Sequence, residues 1–147
     1  MLSILTVNIG AAARERAEAM LRWLTARPED VFILTETSAG AGTAYLLDRF
    51  RRAGYAVTHI QDGGGDRGVA IVSAIRVAEP LAAPSASVSI PGRVAAVVLD
   101  TEPAVAVLGV YVPSRDRGAE SSRRSRRSSA RYSPRWTSCR TTCTGGW

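Results

Sequence analysis

The sequence predicts an α/β fold, a mixed β-sheet with flanking helices, on three observations. Short β-branched apolar runs of strand length recur along the chain. Two segments among them space their apolar residues as amphipathic helices do, and the order opens strand, helix, strand, helix. At 147 residues there is enough chain for one domain with a substantial core.

Leu2 to Val7 has the length and branching of a buried strand. In Ala11 to Ala26, Ala17, Met20, Leu21 and Leu24 recur at helical spacing, with Arg14, Glu15, Arg16, Glu18 and Arg22 largely on the opposite face. Pro28 stops that helix, because it cannot donate and disfavours a helical residue before it. Val31 to Leu34 is a second buried strand, so the opening unit suits a parallel pair joined by a helical crossover. Thr43 to Ala53 is a second helix, with Tyr45, Leu46, Leu47 and Phe50 apolar and Gly54 as its stop.

Tyr55 to Ile60 and Gly68 to Ser73 are strands connected by the glycine-rich turn 61–67. Residues 79–87, rich in Pro, Ala and Ser, are expected to be irregular and to lead into an extended Val88 to Ile90. Val94 to Leu99 and Ala104 to Val112 form a strand pair about Asp100–Pro103. The last thirty residues break these patterns. Residues 120–131 are almost entirely Arg and Ser and have no apolar period, a composition that does not fold.

Charge follows the same division. Residues 1–117 hold 12 Arg against 12 acids, whereas 118–147 hold 7 Arg and only Glu120, so the net +6 lies in the tail. Both cysteines, Cys139 and Cys143, lie there too, without the second ligand pair that zinc needs. No apolar run reaches membrane-spanning length, and no charged-then-apolar leader opens the chain. The expectation is a cytoplasmic protein without a membrane span. His59 is the sole histidine and has no metal-ligating neighbour at suitable spacing, which favours a structural or surface role. It also leaves no Ser/His/Asp arrangement. Gly63 to Gly68 lacks the phosphate-loop pattern and leads into no helix, so it reads as a hairpin turn.

Two strands deliver oxygen-bearing side chains at their carboxyl ends: Asn8 after the first, Glu36 after the second. That is a way to build a hard-cation site on a sheet. A solvent-facing carboxylate and a turn asparagine are the plain alternatives. With Leu34-Thr-Glu-Thr37 and Val110-Tyr-Val-Pro113 in this order, residues 1–117 resemble the first half of the endonuclease/exonuclease/phosphatase family. That family includes exonuclease III-like repair nucleases and deoxyribonuclease I. The resemblance implies the N-terminal half of a four-layered α/β sandwich, about one of its two sheets, whose apolar inner face would then be exposed.

For the site, the resemblance implies Mg²⁺ or Mn²⁺ held by Glu36 and by the amide oxygen of Asn8. Tyr111 would serve the substrate phosphate or the nucleophile's network, and Arg115, more weakly, would pair with a phosphate. The substrate it implies is DNA or another phosphodiester. The family's Gly-Asp-x-Asn and Ser-Asp-His motifs occur nowhere in these residues. The expectation is therefore a truncated, inactive hydrolase whose tail, from near residue 119, is translated out of frame. Reading the other frames of the gene tests that. The rival expectation is a non-catalytic nucleic-acid-binding module working through the Arg-rich tail.

Overall fold

In a computed structural model, residues 1–60, 67–81 and 89–113 are described, together with the backbone of 139–142. Strand β1 (Ser3–Asn8) leads through helix α1 (Arg14–Thr25) into β2 (Val31–Thr37), and helix α2 (Ala41–Arg52) leads into β3 (Ala56–His59) and β4 (Gly68–Ser73). Strand β5 (Val77–Pro80), a 3₁₀ turn at Pro91–Arg93, β6 (Val94–Leu99), β7 (Val105–Val110) and β8 (Cys139–Thr142) follow. The α1 crossover makes β1 and β2 parallel, with Asn8 registered beside Thr35. Antiparallel pairing adds β4 and then β3 on the far side of β2, giving the order β3-β4-β2-β1-β8.

A second sheet, β5-β6-β7, lies against the first. Side chains that alternate along β2 separate the two cores. Phe32 and Leu34 join Leu5, Val7, Met20, Leu24, Leu46 and Phe50 under the helices. Val31 and Ile33 join Val69 and Ile71 against Ala95, Val97, Leu99 and Val107 of the second sheet. The layers are therefore helices, five-stranded sheet and three-stranded sheet.

The exposed inner face expected from the sequence is thus not found, because β5 to β7 form the opposing sheet and cover it. Gly109 makes the close approach possible: a Cβ there would lie 2.9 Å from both Ile33 Cγ2 and Val69 Cγ1. Among the described residues the large apolar side chains open to solvent are Met1, then Leu108 and Val110 on the outer side of β7, and Val112 just beyond it.

Two local expectations are corrected. The first two residues of the 79–87 stretch, Glu79 and Pro80, belong to β5, whose pairing to β6 shifts register between Val77 and Glu79. Ser89 and Ile90 form a bend entering the 3₁₀ turn rather than a strand. Beyond residues 120–131, Cys139–Thr142 pairs antiparallel with β1, Thr142 beside Ser3. Edge pairing draws on main-chain hydrogen bonds and needs no apolar period. The other tail residues, Arg115 and the turn 61–66 lie outside the described residues. Among the described residues no helix is long and apolar enough to cross a membrane.

Candidate functional site

Parallel pairing brings the carboxyl ends of β1 and β2 side by side, and the chain then departs from regular geometry at both. In β2, Thr35 faces Val69 but Thr37 faces Gly68, so Glu36 is an extra residue with no partner of its own on β4. It takes φ +56°, the left-handed region that a residue with a Cβ enters only at a cost. The shift also moves Thr37 onto the helix-facing side, in line with Ala70 and Val72. After β1, Gly10 (φ +53°) and Ala11 (φ +44°) are left-handed as well. Main-chain bonds tie the two irregularities together: Ile9 N–H donates to Thr35 O at 2.9 Å, and Ala11 N–H donates to Glu36 O at 2.8 Å.

The side chains meet where these backbones do. Asn8 Nδ2 donates to Glu36 Oε1 at 2.7 Å, and Gly10 N–H donates to Asn8 Oδ1 at 2.8 Å. A backbone N–H can only donate, so the amide atom facing Gly10 must be the oxygen, and the nitrogen necessarily faces Glu36. The sequence reading assigns that oxygen to a cation. Here it is turned to Gly10, and Asn8 orients the carboxylate. Arg16, expected on the outer face of α1, turns back over the loop: its Nη2 donates to Ile9 O at 2.7 Å and Gly10 O at 2.9 Å.

The donors present suit a hard divalent ion. Glu36 accepts one side-chain N–H, which leaves acceptor capacity on its two oxygens. Among the described residues no three His, Cys, Asp or Glu cluster. An ion such as Mg²⁺, which is held through one or two carboxylates and keeps several waters, fits such an open set.

Buried Thr37 holds His59, with Oγ1 and Nε2 3.2 Å apart. Burial, and secondarily the charge of Arg51, lower the His59 pKa below its ordinary value of 6.5. His59 and Arg51 border a cavity of about 180 Å³ with Ser38, Thr43 and Leu47. Tyr111 packs its ring against the inter-sheet core, and its N–H donates to Arg93 O at 2.9 Å. Neighbouring Gly92 abuts Gly68, where a Cβ would lie 2.8 Å from both Gly92 O and Thr37 Oγ1, so Tyr111 shares the Glu36 end of the sandwich. Thus Asn8 and Glu36 are in contact, Tyr111 lies at the same end, and Arg115 is outside the described residues.

No family model and no curated protein sequence matches the chain. Solved structures do. An AP endonuclease from Archaeoglobus fulgidus matches with a TM-score of 0.58 at 25% identity, over 77% of this chain and 42% of that one. The fold is that of the endonuclease/exonuclease/phosphatase superfamily. A 3′ phosphatase from Neisseria, bound to a product DNA hairpin, shares this fold with a TM-score of 0.57 at 20% identity, over 76% of this chain and 41% of that one. The present chain spans about two-fifths of the length of these superfamily-fold structures.

Sequence reasoning missed the left-handed Glu36, the Thr37–His59 bond and the reach of Arg16. A usable signal for the last was a basic residue in the first turn of a helix, where the positive end of the dipole disfavours it.

Proposed function

We propose that this chain carries the cation-binding part of a divalent-metal-dependent phosphoester hydrolase acting on DNA. Glu36 is the Mg²⁺ or Mn²⁺ ligand and Asn8 holds it in place. The observation that carries this reading is the 2.7 Å Asn8–Glu36 bond at two adjoining strand ends, one of them on a strained bulge. Strained backbone persists where the surroundings enforce it, and it concentrates at functional sites. The choice of DNA is supported by the neighbours of the same fold, an AP endonuclease and a phosphatase holding a DNA hairpin.

When bound, the ion supplies charge neutralisation for the phosphate that is cleaved. The chain's own residues keep the carboxylate aimed: Asn8 fixes one oxygen and leaves the rest of the group for coordination. Tyr111 offers its hydroxyl to a phosphate oxygen, and Arg115 a charge-assisted pairing. The water-activating Asp and the Asp–His pair of the family have no counterpart motif in these 147 residues. Interdependent catalytic groups lose most of their rate when one is removed. The isolated chain should therefore bind Mn²⁺ while cleaving phosphoesters slowly or not at all.

Electron paramagnetic resonance of Mn²⁺ titrated into the chain tests the reading. Wild type should take up one ion and Glu36→Gln none at the same concentrations. Equal uptake by both removes the proposal. The concentration of positive charge in residues 118–147 favours a second reading, a nucleic-acid-binding module. Salt-dependent DNA binding that survives Glu36→Gln and disappears on deleting 118–147 would select it.

A further inference from the structure

Arg16 is the third residue of α1. Helical side chains lean toward the helix N-terminus, so its guanidinium reaches back over the β1–α1 loop. Both hydrogens of one amino nitrogen are used there, one on Ile9 O and one on Gly10 O. The fit is close: a Cβ on Gly10 would lie 2.8 Å from that same nitrogen. Its place at the start of α1, which has no side-chain cap and Glu15 as the acid of its first turn, is one that the helix dipole disfavours for a cation. A residue that breaks a local rule and is compensated by specific partners points to a function for the contact.

The clamped loop bears on the site through two bonds. Gly10 N–H fixes the Asn8 oxygen, and with it the nitrogen that holds Glu36; Ala11 N–H fixes the Glu36 carbonyl. We infer that Arg16 is a positioning residue for the Glu36 carboxylate, acting through the left-handed Gly10–Ala11 loop. This rests on the reading of Glu36 as a cation ligand.

The sign of one effect separates positioning from charge. A guanidinium near a cation site repels the ion, so charge removal alone would tighten binding. Loss of positioning loosens it.

The experiment uses the full chain with Mn²⁺ as the probe, comparing wild type with Arg16→Ala, Arg16→Lys and Glu36→Gln. The side-chain amide resonances of Asn8 are followed in parallel without metal. Arg16→Ala should raise the Mn²⁺ Kd roughly tenfold, the usual scale for an outer partner of a metal ligand. Arg16→Lys, which keeps several donors on one nitrogen, should recover most of that loss. The Asn8 amide protons should shift upfield in the Ala variant as their bond to Glu36 loosens.

Unchanged or tighter Mn²⁺ binding by Arg16→Ala overturns the inference while leaving the Glu36 reading intact, and so do unmoved Asn8 resonances. If wild type and Glu36→Gln take up Mn²⁺ equally, the Glu36 reading fails. The Asn8 resonances then decide the role of Arg16 alone: moved upholds it, unmoved overturns it.

Discussion

The two ends of the β1–β2 pair each carry a carboxylate facing the neighbouring strand, and they use it differently. At the end where the strands begin, Asp30 Oδ2 accepts from both the N–H and the hydroxyl of Ser3, each at 2.8 Å. Asp30 N–H donates back to Ser3 O and Oγ, both at 3.1 Å, and its carbonyl accepts Ala74 N–H at 2.9 Å. No described residue in that clip has a left-handed φ. At the opposite end Glu36 receives, among the described residues, one side-chain donor, and it is left-handed together with Gly10 and Ala11. Asp30 Oδ2 takes two donors from one residue in joining the strands. The other carboxylate is held under strain with capacity to spare, which separates a structural acid from a candidate ligand.

Breaking the frame beneath the strained end should have the largest effect. Gly42 of α2 lies against the loop after β1, where a Cβ would clash with Ala12 O, a backbone atom that cannot swing aside. Gly42→Ala should cost about 3 kcal/mol, read from urea unfolding. Asp30→Ala, which leaves the Ser3 groups without their acceptor, should cost about 1–3 kcal/mol and leave Mn²⁺ uptake unchanged. Glu36→Gly should do the reverse: uptake is lost, while relief of the left-handed Cβ raises stability by about 1 kcal/mol. If both acids proved merely destabilising to remove, the contrast between the ends would disappear.

The smallest effect concerns pH. His59 has a folded-state pKa below its unfolded value of 6.5, so the unfolded chain takes up the proton more readily. Stability should therefore fall as pH drops below about 6.5, and His59→Gln should flatten that slope. A titration of the single imidazole resonance should find its midpoint below 6.5.

The strands and helices with strong periodicity were legible before any coordinates. Pro28 and Gly54 punctuate the helices as expected, Gly54 at φ +87° with its N–H on Arg51 O at 3.0 Å. Strand β5 was not legible, because Val77-Ala-Glu-Pro80 has no alternation and is a strand only through its pairing to β6. Nor was the division into two sheets, which rests on which faces meet, a matter that Gly109 decides by its lack of a side chain. Of the site, Asn8 and Glu36 could be read from their places at strand ends. The left-handed turn at Glu36 could not, since glutamate gives no sign of it, and the reach of Arg16 was signalled only by a basic residue in the first turn of a helix.

Asn8 and Glu36 both belong to the first quarter of the polypeptide, yet the irregularity that directs the acid exists only against Val69 and Gly68. Gly68 and Val69, which begin β4 far along the chain from the glutamate, supply the template on which it is bent. A nascent chain of forty residues would hold both side chains without their alignment. Substitutions at Gly68 should therefore misdirect Glu36 without touching the carboxylate itself.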